Sequence, residues 1–443
     1  MKKIMLLLSV FAVSALFADQ VTIYNDNFSL VRTSLELDLQ KGMQNIFIDD
    51  IPSTIEANSV IIKPVDGNVG IFSQNYEYDL ANTEQILRKY IGKKVEIIAK
   101  NDQLFSGILQ FNDHNMIGIL DGSTKKLTLL RFDEIRNINL AELPANFFLK
   151  PTLNWKLNAD QSGKHKLDFS YLCYGMQWDV TYNCVWNADK ENLEINSWVT
   201  ITNETGKAFT DTKLKLLAGD VAKEQQYGAV SKTSSGRTLS TYDNLPEFQE
   251  KAFHDFHLYT LSDNVSINNN QTKQLRLFPV KSIIAHPKYI YQTLSDVISS
   301  NIEFINSKKN GVGIPLPKGI VKIYKLDTAD DQLEFIGEDR IDHTPVDEKV
   351  LITTGKAFDL TGTTTLMDKR QIVNRIYEKD LKVTLKNHSQ ETKEITVLHR
   401  IVGIWTISNA NLNYTKKSAN EIEFSKSLAS GEEFELIWTE RTE

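Results

Sequence analysis

The feature that most constrains this chain is an alternation of apolar and polar residues, in short runs, along most of its length. Runs of this kind lie at residues 21–24, 45–48, 213–217, 382–385, 394–398 and 433–438. Successive side chains of a strand point to opposite faces of its sheet, so a period of two predicts half-buried β-strands. Helical patterns are confined to Thr83–Tyr90 and residues 293–299, too few for the βαβ units of a parallel sheet. The sequence predicts a mainly β chain of antiparallel β-sandwich domains.

The first eighteen residues have the pattern of a secretory signal peptide. Lys2 and Lys3 form a basic start, and residues 4–17 are almost wholly apolar. This stretch is shorter than the roughly 20 apolar residues that a membrane-spanning helix needs. We expect cleavage after Ala18, with Ala15 as the alternative site and a retained N-terminal anchor as the alternative interpretation. The prediction is an exported protein of the periplasm or outer envelope, whose mature chain has no transmembrane segment.

The charge of the chain bears on its partners. Lys and Arg number 50 and Asp and Glu 57, which gives a formal charge of −7. Removal of Lys2 and Lys3 with the signal makes this −9. An acidic surface repels phosphate-rich ligands, so we expect no nucleic-acid partner. We expect protein partners in the cell envelope, of unknown identity, and a homo-oligomer is compatible with this prediction.

Two cysteines, Cys173 and Cys184, follow the signal. Residues 167–174 and 178–186 alternate like two strands joined by a turn at Gly175, which predicts a hairpin that brings the sulfur atoms near each other. Export would deliver both thiols to an oxidising compartment. The sequence is compatible with a disulfide, which would stabilise the chain by roughly 3 kcal/mol, and equally with two inert buried thiols.

Changes of pattern predict five segments. They are a signal peptide at 1–18, an N-terminal β segment at 19–80, a small module at 81–142, a large β-sandwich region at 143–370 and a C-terminal immunoglobulin-like β-sandwich at 371–443. Residues 223–250 are rich in Gly, Ser, Thr and Gln and have little apolar periodicity. This composition predicts a flexible surface loop, with a binding loop as the alternative, and strands resume at residue 256.

The small module combines the helical pattern at Thr83–Tyr90 with five β-like runs. These runs are residues 95–99 and 104–111, Met116–Leu120, Leu127–Arg131 and Ile135–Leu140. With YIGKKVEII, FSGILQFNDHNMIGIL and EIRNINL in this order, the module resembles an Sm-like barrel. The fold prediction therefore includes a small Sm-like barrel, helix plus five strands, inserted into the β-sandwich chain.

The Sm-like resemblance implies oligomeric rings and RNA contacts at Asn112, His114 and Asn115. The RNA-binding members usually have glycine after the arginine of the last motif, whereas Asn137 follows Arg136 here. Nearby lysines are also more typical of a solvated face than of a nucleic-acid site. We expect the module to work through protein contacts, as a spacer or an oligomerisation barrel.

A second resemblance covers much of the chain. It is carried by SYLCYGMQWDVTYNCVW, WVTITNETGKAFTDTKLKLLAGDV, PLPKG at 315–319, GEDRIDHTP at 337–345 and GKAFDL at 355–360. These segments resemble the bacterial family defined by domain of unknown function 4139, the mucoidy-inhibitor-like proteins. Relatives commonly have a coiled coil where this chain has the Sm-like module. The resemblance implies an envelope location and β-sandwich domains, and it brings no catalytic residues.

Physically, the motif residues of this second resemblance indicate framework. Asn203, Thr205 and Gly206 are turn formers between two strands, and Gly206 can adopt the positive φ of a tight hairpin. The large aromatic residues predict core or cross-strand packing rather than a ligand cage, and they are Trp178, Tyr182, Trp186 and Trp198.

Patterns that carry chemistry are sparse. His254 and His257, beside Asp255, have a spacing that a metal could use, but strand positions three apart face opposite sides, so no metal site is predicted. The acidic pairs at 330–331 and 338–339 are interpreted as turn charges, and the GxSxG, phosphate-loop and dinucleotide motifs are missing. The prediction is a non-catalytic interaction or scaffold protein without a cofactor. The alternative is a secreted hydrolase with a dispersed or metal-assisted site.

Overall fold

The computed structural model describes residues 15–16, 19–79, 83–140, 147–219, 221–222, 248–327 and 329–443. Most of the predicted signal peptide, and residues 223–247 of the predicted loop, lie outside the described residues. The described chain is mainly β, in several antiparallel sheets with one small helix-plus-strands module, which confirms the predicted fold class. Within these residues, no helix has the length and apolar character that crossing a membrane requires.

The N-terminal part consists of strands, followed by the module. The strands are β1 Ala15–Leu16, β2 Gln20–Tyr24, β3 Phe28–Leu39, β4 Gly42–Ile48, β5 Ile55–Pro64 and β6 Val69–Glu77. The module consists of α1 Thr83–Tyr90, β7 Lys94–Ala99, β8 Leu104–Asn112, β9 Met116–Leu120, β10 Leu127–Arg131, a 3-10 turn at Phe132–Glu134 and β11 Ile135–Leu140.

The rest of the described chain is also built of strands. The first of these are β12 Thr152–Ala159, β13 Gly163–Tyr174, β14 Met176–Asn187, β15 Asn192–Asn203, β16 Phe209–Ala218, β17 Phe248–Phe253, β18 Phe256–Leu261, β19 Val265–Ile267, β20 Gln271–Arg276, β21 Lys281–Ile284 and β22 His286–Gln292. The last are β23 Ile298–Ile305, β24 Gly319–Asp327, β25 Gln332–Ile341, β26 Lys349–Lys356, β27 Leu360–Val373, β28 Ile376–Asn387, β29 Lys393–Arg400, β30 Trp405–Ser408, β31 Tyr414–Ser418, β32 Glu421–Leu428 and β33 Glu433–Thr442.

Two compact units share these elements. The first unit comprises Met1–Gln177, Thr202–Lys215 and Asn264–Thr272, and the second comprises Trp178–Ile201, Leu216–Asp263 and Lys273–Glu443. The first unit contains a sheet with the strand order β16-β2-β3-β13-β5, a three-stranded sheet β4-β12-β6, and the module sheet β10-β9-β8-β7-β11. Helix α1 closes the module core, where Leu87 and Tyr90 pack with Val95, Leu109 and Ile117.

The described residues of the second unit include the β17–β18 hairpin and three further sheets. Their orders are β20-β15-β14-β24-β25, β26-β23-β22-β29-β32-β31 and β27-β28-β33-β30. The last two sheets share a core that includes Val383, Val397, Phe424 and Trp438. Strand β14 pairs with β24 in parallel, and so does β22 with β29.

Three local predictions are wrong. Residues 167–174 and 178–186 do not form a hairpin, because β13 pairs with β3 and β5 whereas β14 lies in another sheet. Residues 293–299 form a turn and the start of β23 rather than a helix. Strand β17 begins at Phe248, inside the predicted loop, because it pairs residue by residue with β18.

The turn predicted at Asn203–Gly206 is more than a hairpin turn. Gly206 has the predicted positive φ of 87°, and a Cβ there would lie 2.4 Å from the Oγ of Ser53. Strands β15 and β16, however, belong to different sheets, so this segment crosses between sheets. Asn203 is fully buried at the crossing. Its amide nitrogen donates to the carbonyls of Lys207 at 2.9 Å and Asn268 at 3.0 Å.

The same arrangement recurs at two other strand ends. The Asn387 amide nitrogen lies 2.8 Å from the Glu391 carbonyl and 3.0 Å from that of Leu428, and its oxygen accepts from the backbone and hydroxyl of Ser389. The Asn306 amide nitrogen reaches carbonyls of three separate residues, namely Ile314, Thr344 and Pro345. All three asparagines are fully buried, so each satisfies backbone groups that water does not reach.

A buried ion pair fixes the start of the first unit. The ammonium of Lys207 lies 3.1 Å from the Asp19 carboxylate and 2.8 Å from that of Asp50, and the side chains of Lys207 and Asp19 are 6% and 9% exposed. The ammonium also lies over the Phe209 ring, 5.5 Å from its centroid. Removing one member of such a pair leaves the other charge buried without compensation.

Replacing Lys207 with methionine is expected to lower the free energy of unfolding by roughly 3–5 kcal/mol, because the Asp19 carboxylate loses its counter-charge. Lys164→Met is the matched control, since Lys164 forms a 2.6 Å pair with Glu36 at the surface. Its expected cost is much smaller, because water screens an exposed ion pair. Urea unfolding measures both values. Equal costs for the two variants would contradict the role of the buried pair.

Candidate functional site

The outer face of the module is the candidate functional site. Strand register aligns Phe111, Gly118 and Leu129 across β8, β9 and β10, and aligns Ile108, Leu120 and Leu127 beside them. Directly opposite residues of paired strands share one face of the sheet. Phe111, Leu127 and Leu129 are 37%, 50% and 49% exposed. We call this surface, made by Ile108, Phe111, Leu120, Leu127 and Leu129, the apolar face.

Gly118 shapes the apolar face. A Cβ at this position would lie 2.4 Å from a ring carbon of Phe111, so the Phe111 ring covers the glycine directly. The opposite faces of the same strands supply Leu109, Ile117 and Ile119 to the module core. Strands β8 and β9 are therefore apolar on both faces, although only one face is buried.

The three residues that the Sm-like resemblance assigned to RNA contact lie at the end of β8 and in the turn after it. His114 and Asn115 are exposed, whereas the Asn112 side-chain amide is buried without a hydrogen-bond partner among the described residues. Asp113 builds the turn, since its carboxylate accepts from the backbone N–H groups of Asn115 and Met116. These hydrogen bonds hold the pKa of Asp113 below its usual value.

The last motif of the module, which contains Arg136 and Asn137, lies on β11. Arg136 forms an ion pair with Asp102. The register of β11 against β7 shifts between Ile135 and Asn137, so Asn137 follows a β-bulge. Both residues are exposed, and they support the strand β11 rather than form a pocket.

Cys173 and Cys184 are both buried thiols. The hairpin that would have brought them together does not form, so a disulfide stays a prediction without that geometric support. Cys184 shares an apolar environment with Tyr182, Phe304, Leu316 and Val350. Burial raises the pKa of the Cys184 thiol far above its usual value, which makes it a poor nucleophile.

The histidine pair does not converge. His254 lies in the two-residue turn of the β17–β18 hairpin and has a positive φ of 56°. His257 lies on β18, where its Nδ1 is 2.8 Å from the Glu250 carboxylate. Within the described part of the chain, no group of three or more His, Cys, Asp or Glu residues is placed to hold a metal ion.

The acidic pairs serve turns and strand edges. Asp330 lies in the β24–β25 turn, where its carboxylate accepts from the backbone of Gln332. On β25, Glu338 lies 3.8 Å from the ammonium of Lys322, and Asp339 accepts from the backbone of Thr353 at 2.6 Å. The carboxylates of Asp330, Glu338 and Asp339 therefore each serve a different partner.

A buried polar array that the sequence did not indicate lies in the C-terminal sandwich. His399 Nδ1 is 2.7 Å from the Thr293 hydroxyl, and His399 Nε2 is 2.7 Å from the Glu440 carboxylate. The second carboxylate oxygen of Glu440 accepts from the Lys379 ammonium at 2.8 Å. We call Thr293, His399, Glu440 and Lys379 the buried array. His399 on β29 and Glu440 on β33 belong to the two facing sheets, so the array joins those sheets.

The buried array has the composition of a hydroxyl–imidazole–carboxylate relay but not its usual geometry. In the serine-hydrolase template the imidazole Nε2 faces the hydroxyl, whereas here Nδ1 does. The Thr293 hydroxyl belongs to a residue only 8% exposed. The Thr293 amide donates to the Leu398 carbonyl, so it is not available as an oxyanion donor. The array fits a cross-link between sheets better than a nucleophilic site.

Electrostatics within the buried array stabilise the charged form of Glu440. Burial alone would raise the pKa of this carboxyl, but hydrogen bonds from His399 and Lys379 outweigh burial and hold the pKa below its usual value. The Trp438 ring packs edge-on against His399 with centroids 5.0 Å apart. The carboxylate is thus ionised inside an aromatic core.

The motif residues of the second unit form framework. The Tyr182 hydroxyl donates to the Pro317 carbonyl and the Tyr259 hydroxyl donates to that of Pro315, both at 2.8 Å. Trp178, Tyr182 and Trp186 are buried, and the guanidinium of Arg276 lies over the half-buried Trp198 ring. Burial raises the pKa of Tyr182 well above its usual value, so it acts as a neutral donor. The predicted packing role of these aromatic residues is confirmed.

Comparisons with known proteins add little to this geometry. No family model matches the chain, and no curated protein matches it. One solved structure, described as a candidate protease from Parabacteroides distasonis, aligns with 95% of this chain and 98% of its own, at 7% identity and a TM-score of 0.12. A TM-score this low supports no conclusion about fold or activity.

The depressed pKa of Glu440 predicts an acid-dependent contribution to stability. A carboxyl whose folded pKa lies below its unfolded value of about 4.3 stabilises the fold above that value, and the contribution is lost as the pH falls through the folded pKa. The difference in unfolding free energy between the natural chain and Glu440→Gln should therefore shrink as the pH falls below about 4.3. Glu435→Gln, at an exposed pair with Lys382, is the control. A constant difference measured by urea unfolding from neutral to acidic pH would refute the prediction.

Proposed function

We propose that this chain is an exported cell-envelope protein that acts by binding proteins and not by catalysis. The apolar face carries the proposal. Soluble surfaces rarely keep several large apolar side chains side by side, and such patches are typical of interaction sites. The partly exposed Phe111, Leu127 and Leu129 form one.

Charge supports a protein partner over nucleic acid. The formal charge of −7 opposes binding to phosphate backbones, which depends chiefly on Lys and Arg. The apolar face also lacks the arrangement of a base-stacking platform, since its centre is made of leucines and Gly118.

Export and family membership are part of the same proposal. Export rests on the basic start and apolar stretch of residues 1–18. Membership in the family of domain of unknown function 4139 rests on the motifs around Tyr182 and Pro315–317. Two of these motifs meet through the Tyr182–Pro317 hydrogen bond, across 135 positions of sequence.

A photo-reactive phenylalanine analogue at Phe111, used in intact cells, is expected to form discrete protein adducts, because this ring lies within the apolar face. The same analogue at Phe358, which is 96% exposed and lies outside the apolar face, is the matched control and should give no discrete adduct. Immunoblots of envelope fractions measure both. Absence of adducts at Phe111, or recovery of the chain in the cytosol, would count against the proposal.

A second candidate function is a secreted hydrolase that uses Thr293 of the buried array as nucleophile. The juxtaposition of hydroxyl, imidazole and carboxylate is the observation behind it. We expect the binding function to be correct. Any hydrolysis of casein or nitrophenyl esters by the purified protein should therefore be the same in the Thr293→Val variant. Hydrolysis lost in folded Thr293→Val, and kept in Ser299→Ala, would instead establish the hydrolase.

A further inference from the structure

We propose that a second copy of this chain pairs with β10, strand to strand and antiparallel about Leu129, so that two modules form one continuous sheet. The inference rests on the proposed function, because it names one protein partner of the module that carries the apolar face. Strand β10 pairs with β9 on one side, and among the described residues no strand pairs with its other side. An exposed edge with apolar side chains is a ready template for another strand.

The backbone directions of β10 follow from its flanking hydrogen bonds. The Lys126 carbonyl accepts from the Asp121 N–H at 3.0 Å, and the Phe132 N–H donates to the Asn115 carbonyl at 2.9 Å, both on the β9 side. Backbone groups of a strand alternate between its two edges. Leu127, Leu129 and Arg131 therefore direct their N–H and C=O groups to the open edge.

An antiparallel pair centred on Leu129 uses all of these groups. Leu129 then faces Leu129 of the second copy, and Leu127 faces its Arg131. Each such pair exchanges two backbone hydrogen bonds. The side chains of these residues lie on the apolar face, so the faces of the two copies become contiguous, and the long Arg131 side chain covers apolar surface with its methylenes.

Charge selects the antiparallel arrangement. Lys125 and Lys126 precede β10, and Asp133 and Glu134 follow it; all four are exposed. Antiparallel pairing places the basic flank of each copy beside the acidic flank of the other, whereas parallel pairing would place like charges together. The surface is therefore self-complementary, as a two-fold interface requires, and pairing removes the open β10 edge of both copies at once.

Charge reversal tests this pairing in the full mature chain. Sedimentation velocity should show a dimer, and the double variant Lys125→Glu with Lys126→Glu should raise its dissociation constant by about tenfold, because like charges then face each other. Adding Asp133→Lys and Glu134→Lys should restore the dimer. Loss of folding does not account for such a rescue. A second copy bound elsewhere would leave the dissociation constant unchanged and overturn the inference.

A cysteine at position 129 provides the second test. In hydrogen-bonded antiparallel pairs, opposite Cα atoms lie about 5.5 Å apart, within disulfide reach. Mild oxidation of Leu129→Cys should give a covalent dimer, and Leu104→Cys, at a residue 59% exposed on β8, should not. A ring-sized assembly, or a monomer without cross-link, would overturn the inference. If the dimer is absent but Phe111 adducts in cells contain a different protein, this inference fails and the proposed function stands.

Discussion

Three buried asparagines hold together the crossings on which the sheet architecture depends. Asn203 ends β15, Asn306 follows β23 and Asn387 ends β28, and in each case the next long strand lies in a different sheet. Where a chain leaves a sheet, its backbone groups lose their ladder partners. One carboxamide offers two hydrogens and an oxygen, so a single side chain can satisfy several of these groups. The sheets therefore connect without leaving these buried carbonyls unpaired.

The sequence predicted where most strands lie, but it did not predict these crossings between sheets. Alternation located the strands well, and the module elements were predicted almost residue for residue, because their contacts are local in sequence. Consecutive strands usually pair, so a hairpin at Gly175 was the natural expectation. It failed because β13 finds its partners in β3 and β5, far earlier in the chain. The motif of Asn387 with Ser389 two residues later, repeated at Asn203, was the available signal for such a crossing.

The functional residues were harder to predict, for two physical reasons. His399 stands alone in sequence, and its two partners lie 106 and 41 positions away, so only the tertiary fold reveals the buried array. The strand LTLLR is apolar at positions of both faces, which normally indicates burial on both. Leu127 and Leu129 are nevertheless about half exposed, and the sequence pattern alone does not show that this face of β10 stays uncovered.

The buried charges of this chain hold strands together, whereas its exposed apolar surface is available to a partner. The Lys207–Asp19 pair in one unit and the His399–Glu440 pair in the other are enclosed, and each joins strands that must stay together. Breaking either pair would lower the stability of the fold, because it would leave a charge without a partner in the interior. The apolar face differs from these pairs, because its leucines are exposed to water and covering them with a partner lowers the free energy. A partner that binds the apolar face leaves these buried pairs undisturbed, as the proposed binding function requires.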